Sequence, residues 1–250
     1  MLTVPATAPA LLGLPSILRG PRIALVEQGP VSDDAALIDA IYAMKSDPVV
    51  MQHLVAGGVS LQASRAESAA DLAARAVANA SGQAANYTLH MISNNGPSST
   101  NPSEWPVVGV AGFPRWIARE TLRAGADPDD VVRLETGIIL DTAAQGRGIA
   151  HEALTVLLDA AFTVARDAHG RPIDEAWFRT LDGNVAMRGW CAAYTGDDSI
   201  GRVWEASTEC GLSGVWVEYR VTHAAWTGTY SAKAWEKIHR GAAAAAARRP

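Results

Sequence analysis

The chain reads as an α+β protein built on a mixed β-sheet with helices packed against it. Two observations predict this. The elements run strand, helices, three strands, helix, strand, helix, strands, which is not the strict alternation of a uniformly parallel sheet. In addition, residues 137–154 (GIILDTAAQGRGIAHEAL) pass from an apolar strand through a glycine-rich turn into an amphipathic helix. In sheets of this kind, ligands commonly bind where a strand feeds a helix in that way.

The elements follow in order. Arg22 to Glu27 is a short apolar strand after Gly20-Pro21. Ser32-Asp33-Asp34 caps a helix that places Leu37, Ile38, Ile41 and Tyr42 on one face, and Ser46-Asp47-Pro48 stops it. A short apolar piece, Val49 to Leu54, ends at Gly57-Gly58. Ser64 and Glu67 have capping-box spacing and open an alanine-rich helix to about Ala80. Asn86 to Ser93 and Val107 to Phe113 are strands, separated by the turn-rich loop Asn94 to Pro106. A charged connection, Ala118 to Asp130, leads to the strand Val131 to Leu140. The helix after the glycine turn repeats Leu154, Leu157, Leu158, Ala161, Phe162 and Ala165 at the spacing of one buried face. Asp174 to Leu181 is a strand, Asn184 to Tyr194 a helix, and Gly201 to Ala206 and Val215 to Val221 are strands. Ser231 to Arg249 is helix-prone and ends in a low-complexity tail. There is no internal repeat.

The turn Gln145-Gly146-Arg147-Gly148-Ile149-Ala150 carries the chemistry. Its glycines allow unusual dihedrals and close backbone approach. The helix that follows offers unpaired N–H groups and a positive dipole end, a ready site for an anion such as phosphate. Arg147 adds a charge. Other glycine motifs do not fit. A P-loop needs Gly-Lys-Ser/Thr where Gly148-Ile149-Ala150 stands, and a dinucleotide fingerprint needs Gly or Ala where His151 stands.

Composition excludes other classes. The 250 residues are 48% hydrophobic, enough for one substantial core. A net charge of −5 with no basic run argues against a nucleic-acid partner. No apolar run approaches the roughly 18 residues of a membrane span. Cys191 and Cys210 have neither zinc nor disulfide-framework spacing, so no metal is expected and a reducing, cytoplasmic setting is. Met1 to Gly20 is apolar, without a basic region or a cleavage site.

The loop pattern Gln/Arg-x-x-Gly-x-Gly/Ala resembles the pyrophosphate-binding loop of the GNAT superfamily of N-acetyltransferases. Further segments resemble the ribosomal-protein-alanine N-acetyltransferase branch, in order: Gly20-Pro21-Arg22-Ile23-x-Leu25, Ser46-Asp47-Pro48-x-Val50-Met51, Glu135-x-Gly137-Ile138-Ile139-Leu140, Glu152-Ala153, Thr180 to Met187, and Tyr219-Arg220-Val221 running to Trp226. The resemblance covers residues 20 to 226. It implies a GNAT fold whose central strands splay apart, with an N-terminal extension over 1–21, the acetyltransferase domain over 22–230 and a C-terminal helix and tail over 231–250. It implies acetyl-CoA as co-substrate. Backbone groups of Ile138 and Leu140 would meet the pantetheine. Gln145, Gly146, Arg147, Gly148, Ile149 and Ala150 would hold the pyrophosphate, and Asn184 would contact the cofactor from the next helix.

The reaction so implied is direct attack of an amine on the thioester. The amine must lose a proton to a base or water chain, and the oxyanion needs a donor such as a strand N–H. Glu135 matches the branch's strand glutamate and is the base candidate, against a structural carboxylate paired with Arg133. His151 reads as a helix-terminus or surface histidine, and His90 and Glu152 are lesser candidates. Where the superfamily carries its acid tyrosine this chain has Cys191, with Tyr194 one turn on. Cys191 could act as a weak acid, and also reads as a small buried apolar residue. Trp105 and Trp116 could line an acceptor pocket or pack in the core, and Asp127, Asp129 and Asp130 could attract a cation or simply be solvated. The acceptor is a small amine or a protein N-terminus, and the protein a monomer or homodimer. Two other readings compete: a non-catalytic acyl-CoA sensor, and an interaction module whose glycine loop is structural.

Overall fold

Apolar alternation and local capping explain most of the elements in the computed structural model, which describes residues 13–29, 34–92, 101–117, 131–167, 170–195, 202–205 and 214–247. The strands are β1 (Ile17–Arg19), β2 (Ile23–Glu27), β3 (Ala85–Met91), β4 (Val107–Ile117), β5 (Arg133–Leu140), β6 (Glu175–Leu181), β7 (Arg202–Glu205) and β8 (Val215–Thr222). The helices are α1 (Ala35–Ser46), α2 (Pro48–Ala56), α3 (Arg65–Ala80), α4 (Ile149–Thr163), α5 (Val185–Thr195), the single turn α6 (His223–Ala225) and α7 (Ser231–Ala247), with a π-turn, Trp226–Tyr230, between the last two. Among the described residues no helix is long and apolar enough to cross a membrane.

Eight strands form one sheet in the order β1-β2-β3-β4-β5-β6-β8-β7. Every neighbouring pair is antiparallel except β5 and β6. That pair is parallel because α4 carries the chain back across the sheet between them. β1 falls inside the expected N-terminal extension yet pairs with β2 along its whole length.

Local chemistry sets the helix starts. Asp34 Oδ1 accepts from Leu37 N at 3.0 Å and caps α1. Ser64 Oγ accepts from Glu67 N, and Glu67 reaches back to Ala63 N. The apolar piece after Pro48 is itself a helix, α2. Asp47 accepts from Val49 N at 2.7 Å, and Pro48 sits at the first helical turn, where its missing N–H costs nothing.

Two layers cover the sheet. On one face α1 and α3 enclose Ile41, Met44, Leu72 and Val110, with Ile139 packed against them. On the other, α4 and α5 bury the main core, including Leu25, Leu89, Leu134, Leu157 and Phe178. α4 is buried almost all round rather than on a single face, because α7 lies across its outer side. Its polar residues are therefore inside too, and Thr155 donates to His151 O at 2.8 Å.

One carboxylate ties the C-terminal segment to α4. Asp159 accepts from Trp226 Nε1 at 2.6 Å, from Ser231 Oγ at 2.8 Å and from Trp235 Nε1. Hydrogen bonds to a charged group are worth about 1.5–3 kcal/mol each, and stranded donors add to the loss. Asp159→Ala should therefore cost about 3 kcal/mol in chemical denaturation, with amide exchange in α7 accelerating before that of the sheet. Uniform exchange throughout, or an unchanged midpoint, would count against this anchor.

Candidate active site

β5 and β6 pair only from Arg133↔Glu175 to Thr136↔Phe178. Beyond that step each follows its outer neighbour: β5 stays with β4 up to Leu140↔Gly109, and β6 with β8 up to Leu181↔Trp216. A gap therefore opens in the middle of the sheet. Asp141 N bonds Val108 O on the β4 side. Orientation alternates along an antiparallel strand, so the N–H and C=O groups of Ile138 and Leu140 face the gap. Gln145 Nε2 donates to Leu140 O at 3.0 Å from the gap side.

The apex of the gap holds two polar atoms that are buried and have no hydrogen-bond partner among the described residues: Glu135 Oε2 and Thr136 Oγ1. Successive residues of a strand point to opposite faces, so these atoms bracket the apex from both sides. Thr136 is on the α4 face and Glu135 on the α2 face. The alternative of a structural Glu135–Arg133 pair is not found, because Arg133 Nε bonds Glu175 Oε2 at 2.9 Å. Gly137 is next to Glu135 on the same face. A Cβ there would make an ordinary contact with Pro114 Cγ at 3.9 Å and no clash, so the missing side chain leaves room for a small group. The β4 register shifts between Gly112 and Arg115, opposite these residues, and such bulges commonly lie beside functional sites.

Past Leu140, a 3₁₀ turn over Thr142–Ala144 leads into the glycine loop. Gly146 and Gly148 take φ of +69° and +74°, the left-handed region that side chains other than glycine occupy at a cost. Neither glycine is crowded: a Cβ meets nothing within 4 Å at 146, and only Arg22 Nη2, at 3.5 Å, at 148. Backbone conformation, not packing, demands them. Residues 145–148 are exposed, and the first turn of α4 begins directly behind them.

The residue that shapes this loop was invisible in sequence. Arg22 donates from Nη1 to Arg147 O at 2.9 Å and from Nη2 to Gly148 O at 3.2 Å. Its Nε and its backbone N each bond the fully buried Glu152 carboxylate at 2.7 Å. With both loop carbonyls held inward, the loop N–H groups are left for an anion. Arg22 and Glu152 are 130 residues apart, so only the fold unites them. Its one sequence signal is the Gly-Pro-Arg run itself.

The other candidates are placed as follows. Asn184 Oδ1 accepts from Met187 N at 3.2 Å and caps α5. Cys191 and Tyr194 both lie in the main core, as neighbours one turn apart. Burial pushes the Cys191 thiol up to about 12 and also raises the Tyr194 phenol. Tyr194 packs on Trp190, and Trp190 packs on Phe178, the last residue of β6 that pairs with β5. His151 is buried rather than at the surface. Trp190 Nε1 donates to its Nδ1 at 3.1 Å, and its Nε2 donates to Ala234 O of α7 at 3.2 Å. His90 is enclosed as well, its Nδ1 donating to Trp105 O at 3.0 Å, and Trp105 is buried. The side chain of Trp116, residues 127, 129 and 130, and Cys210 lie outside the described residues.

The profile of the acetyltransferase (GNAT) domain family matches residues 29–194 of the chain. No curated protein matches. Among solved structures, a GCN5-related N-acetyltransferase from Brucella melitensis aligns with TM-score 0.58 and 14% identity, over 94% of this chain and 90% of that one. The microcin self-immunity acetyltransferase MccE, in complex with acetyl-CoA and AMP, gives 0.56 and 12%, over 81% and 93%. RimL, a ribosomal α-N-protein acetyltransferase in complex with coenzyme A, gives 0.56 and 13%, over 82% and 97%. At these identities the likeness is one of fold, and the expected α+β architecture with splayed central strands is the one found.

Two measurements check the geometry. Arg22→Met strands the buried Glu152 carboxylate and should cost about 3 kcal/mol in denaturation, with faster amide exchange at residues 147–149. Retained stability would show that the clamp is not formed. Burial lowers the proton affinity of His151, and the Lys237 and Arg22 charges act in the same direction. A histidine depressed on folding contributes stability above its unfolded value of about 6.5 that is lost as pH falls through the folded value. The thermal midpoint should decline below pH ~6.5, while the His151 resonance titrates on the acid side of that value. An imidazole titrating at or above it would contradict the burial.

Proposed function

The chain belongs to the GNAT acetyltransferase family, and we propose that it transfers an acetyl group from acetyl-CoA to an amine, a small molecule or a protein N-terminus. The observation that carries this reading is the gap between β5 and β6, with two unpartnered polar atoms at its apex and an uncrowded anion loop at its mouth. These residues fit acetyl-CoA. The loop N–H groups and Arg147 would meet the pyrophosphate. The gap-facing C=O of Ile138 and the gap-facing groups of Leu140 would bond the amides of the pantetheine arm, as an added strand would. Gln145 would release Leu140 O to do so.

Acetyl-CoA supplies an activated acyl carbon. Glu135 stands on the face of the sheet opposite α4, beside the open space at Gly137, where an amine can approach. Its unpartnered oxygen is available to accept the ammonium proton, so it is the base in this reading. The gap-side N–H of Ile138 is the donor for the oxygen that becomes negative. A coenzyme thiolate is a weak base and leaves readily. Cys191 is fully buried in the main core, where it serves packing. Tyr194, reached through Trp190 from the apex, remains the candidate acid. Asn184 positions the start of α5 and contacts the cofactor only through its free amide.

Calorimetry with acetyl-CoA tests the reading first. Binding should be seen for the wild-type protein and lost by at least 100-fold in Gly148→Trp, which blocks the loop. Retained affinity would remove the loop from the site, and no wild-type binding would overturn the proposal. With an active acceptor, Glu135→Gln should lower kcat about 100-fold at neutral pH and recover partly at high pH, where the amine loses its proton unaided. Tyr194→Phe should lower kcat and Cys191→Ala should not. The reverse pattern would reassign the acid.

A further inference from the structure

The face of the sheet that carries Glu135 also carries a layer of charge around a single indole. Glu135 on β5 is in register with Trp177 on β6, and Trp177 with Arg220 on β8. Three residues on adjacent strands thus form a row across one face. Adjacent strands lie roughly 4.8 Å apart, so the row spans about 10 Å from the Cα of Glu135 to that of Arg220. Trp177 is only 1% exposed, because guanidinium groups roof it: Arg220 at 4.5 Å from its ring centre, Arg133 at 5.2 Å and Arg179 at 5.7 Å.

The three arginines are not equally committed. Arg133 is bound to Glu175 at 2.9 Å, and Glu175 also takes Trp177 Nε1 at 3.1 Å. Glu218 is shared, reaching Arg179 at 3.3 Å and Arg220 at 3.4 Å. Arg220 therefore rests on one long contact and on the indole, with 31% of its side chain exposed. With its guanidinium over the indole, Arg220 gives Nη2 to Glu218 and keeps its other donors uncommitted among the described residues. A guanidinium held in that way presents a fork suited to carboxylate or phosphate. Toward the gap, Gly137 lacks a side chain on the same face, and a Cβ there would meet only Pro114 Cγ, at 3.9 Å, among the described residues.

We propose that the acceptor carries an anionic oxygen group, a carboxylate or a phosphate, held by Arg220 while its amine meets Glu135. This rests on the acetyl-transfer reading above. Arg220 is then a residue of acceptor specificity, with Trp177 as its support. The acceptor is an amino acid-like or phosphoamine-like molecule, its amine and anionic group separated by a few bonds. Polyamines are disfavoured, because their second cation would face Arg220.

The test is equilibrium binding to the protein saturated with CoA, which needs no turnover. The probes are matched pairs: β-alanine and its amide, γ-aminobutyrate and its amide, phosphoethanolamine and ethanolamine. The anionic member of at least one pair should bind about tenfold more tightly, the size of effect that one charge-assisted contact gives. Preference confined to the phosphate pair or to the carboxylate pairs identifies which group is read. Arg220→Gln should abolish the preference and leave the neutral members unchanged, and Arg220→Lys should keep part of it. A merely structural role would weaken both members alike. Gly137→Val, which fills the open space without touching the arginine layer, should remove binding of all acceptors while CoA affinity persists. Equal affinity within every pair, equal losses in Arg220→Gln, or unchanged acceptor binding in Gly137→Val would overturn the inference while leaving acetyl-CoA binding intact. Failure of CoA to bind would instead overturn the reading beneath it, and this inference with it.

Discussion

Everything in this molecule turns on a pairing that stops. β5 and β6 share four registered steps and then separate, each remaining with the strand on its other side. The cost is a set of peptide groups without a ladder partner, which folded proteins rarely tolerate. The gain is a slot lined by backbone donors and acceptors on its β5 side. Around the slot the fold places a glycine loop at the mouth, an unpartnered carboxylate oxygen at the apex and a charged face beside it. None of these would form one site if the parallel pair had continued to Leu140.

The slot can be held open because both ends of α4 are pinned by buried or half-buried carboxylates. At the N-terminal end Glu152 takes Arg22, and Arg22 in turn fixes the loop carbonyls. Near the C-terminal end Asp159 collects three donors from the segment that leads into α7. Both are charge-assisted contacts between residues remote in sequence, and both hold a helix that is otherwise secured by apolar burial on nearly every side. His151, between them, is bonded at both ring nitrogens, so it fixes α4 against α5 and α7 and has no lone pair left over for proton transfer.

The glycine turn, the helix behind it and most strand positions were legible because they rest on local rules: periodicity, capping and the dihedral freedom of glycine. The capping box at Ser64 and the helix start at Asp34 formed where their side chains implied. α2 was not legible, since nine mostly apolar residues show no clear period until Asp47 and Pro48 are recognised as a cap. β1 was missed because three residues make no pattern; it exists only through its pairing with β2. At the site, Glu135 could be named but not its surroundings. Arg133, two residues away and its partner in the competing structural reading, turns to Glu175 on the next strand, a choice set by cross-strand register that no local spacing reveals. The same holds for the Arg22–Glu152 clamp, for the burial of His151 under α7 and for the arginine layer over Trp177. All are products of topology rather than of neighbouring residues.

The slot has one further consequence. An open strand edge attracts any passing strand, and proteins ordinarily confine such edges to the rim of a sheet and blunt them there. Here the edge lies in the middle of the sheet, and the groups that suit the amides of a pantetheine arm would equally suit another polypeptide. One defence is the side chain of Gln145, which occupies Leu140 O. That glutamine is thus a stopper as well as a loop residue. Its loss would leave the uncomplexed protein with an unguarded template at its centre, and self-association, not only a weaker hold on ligand, would be the cellular cost.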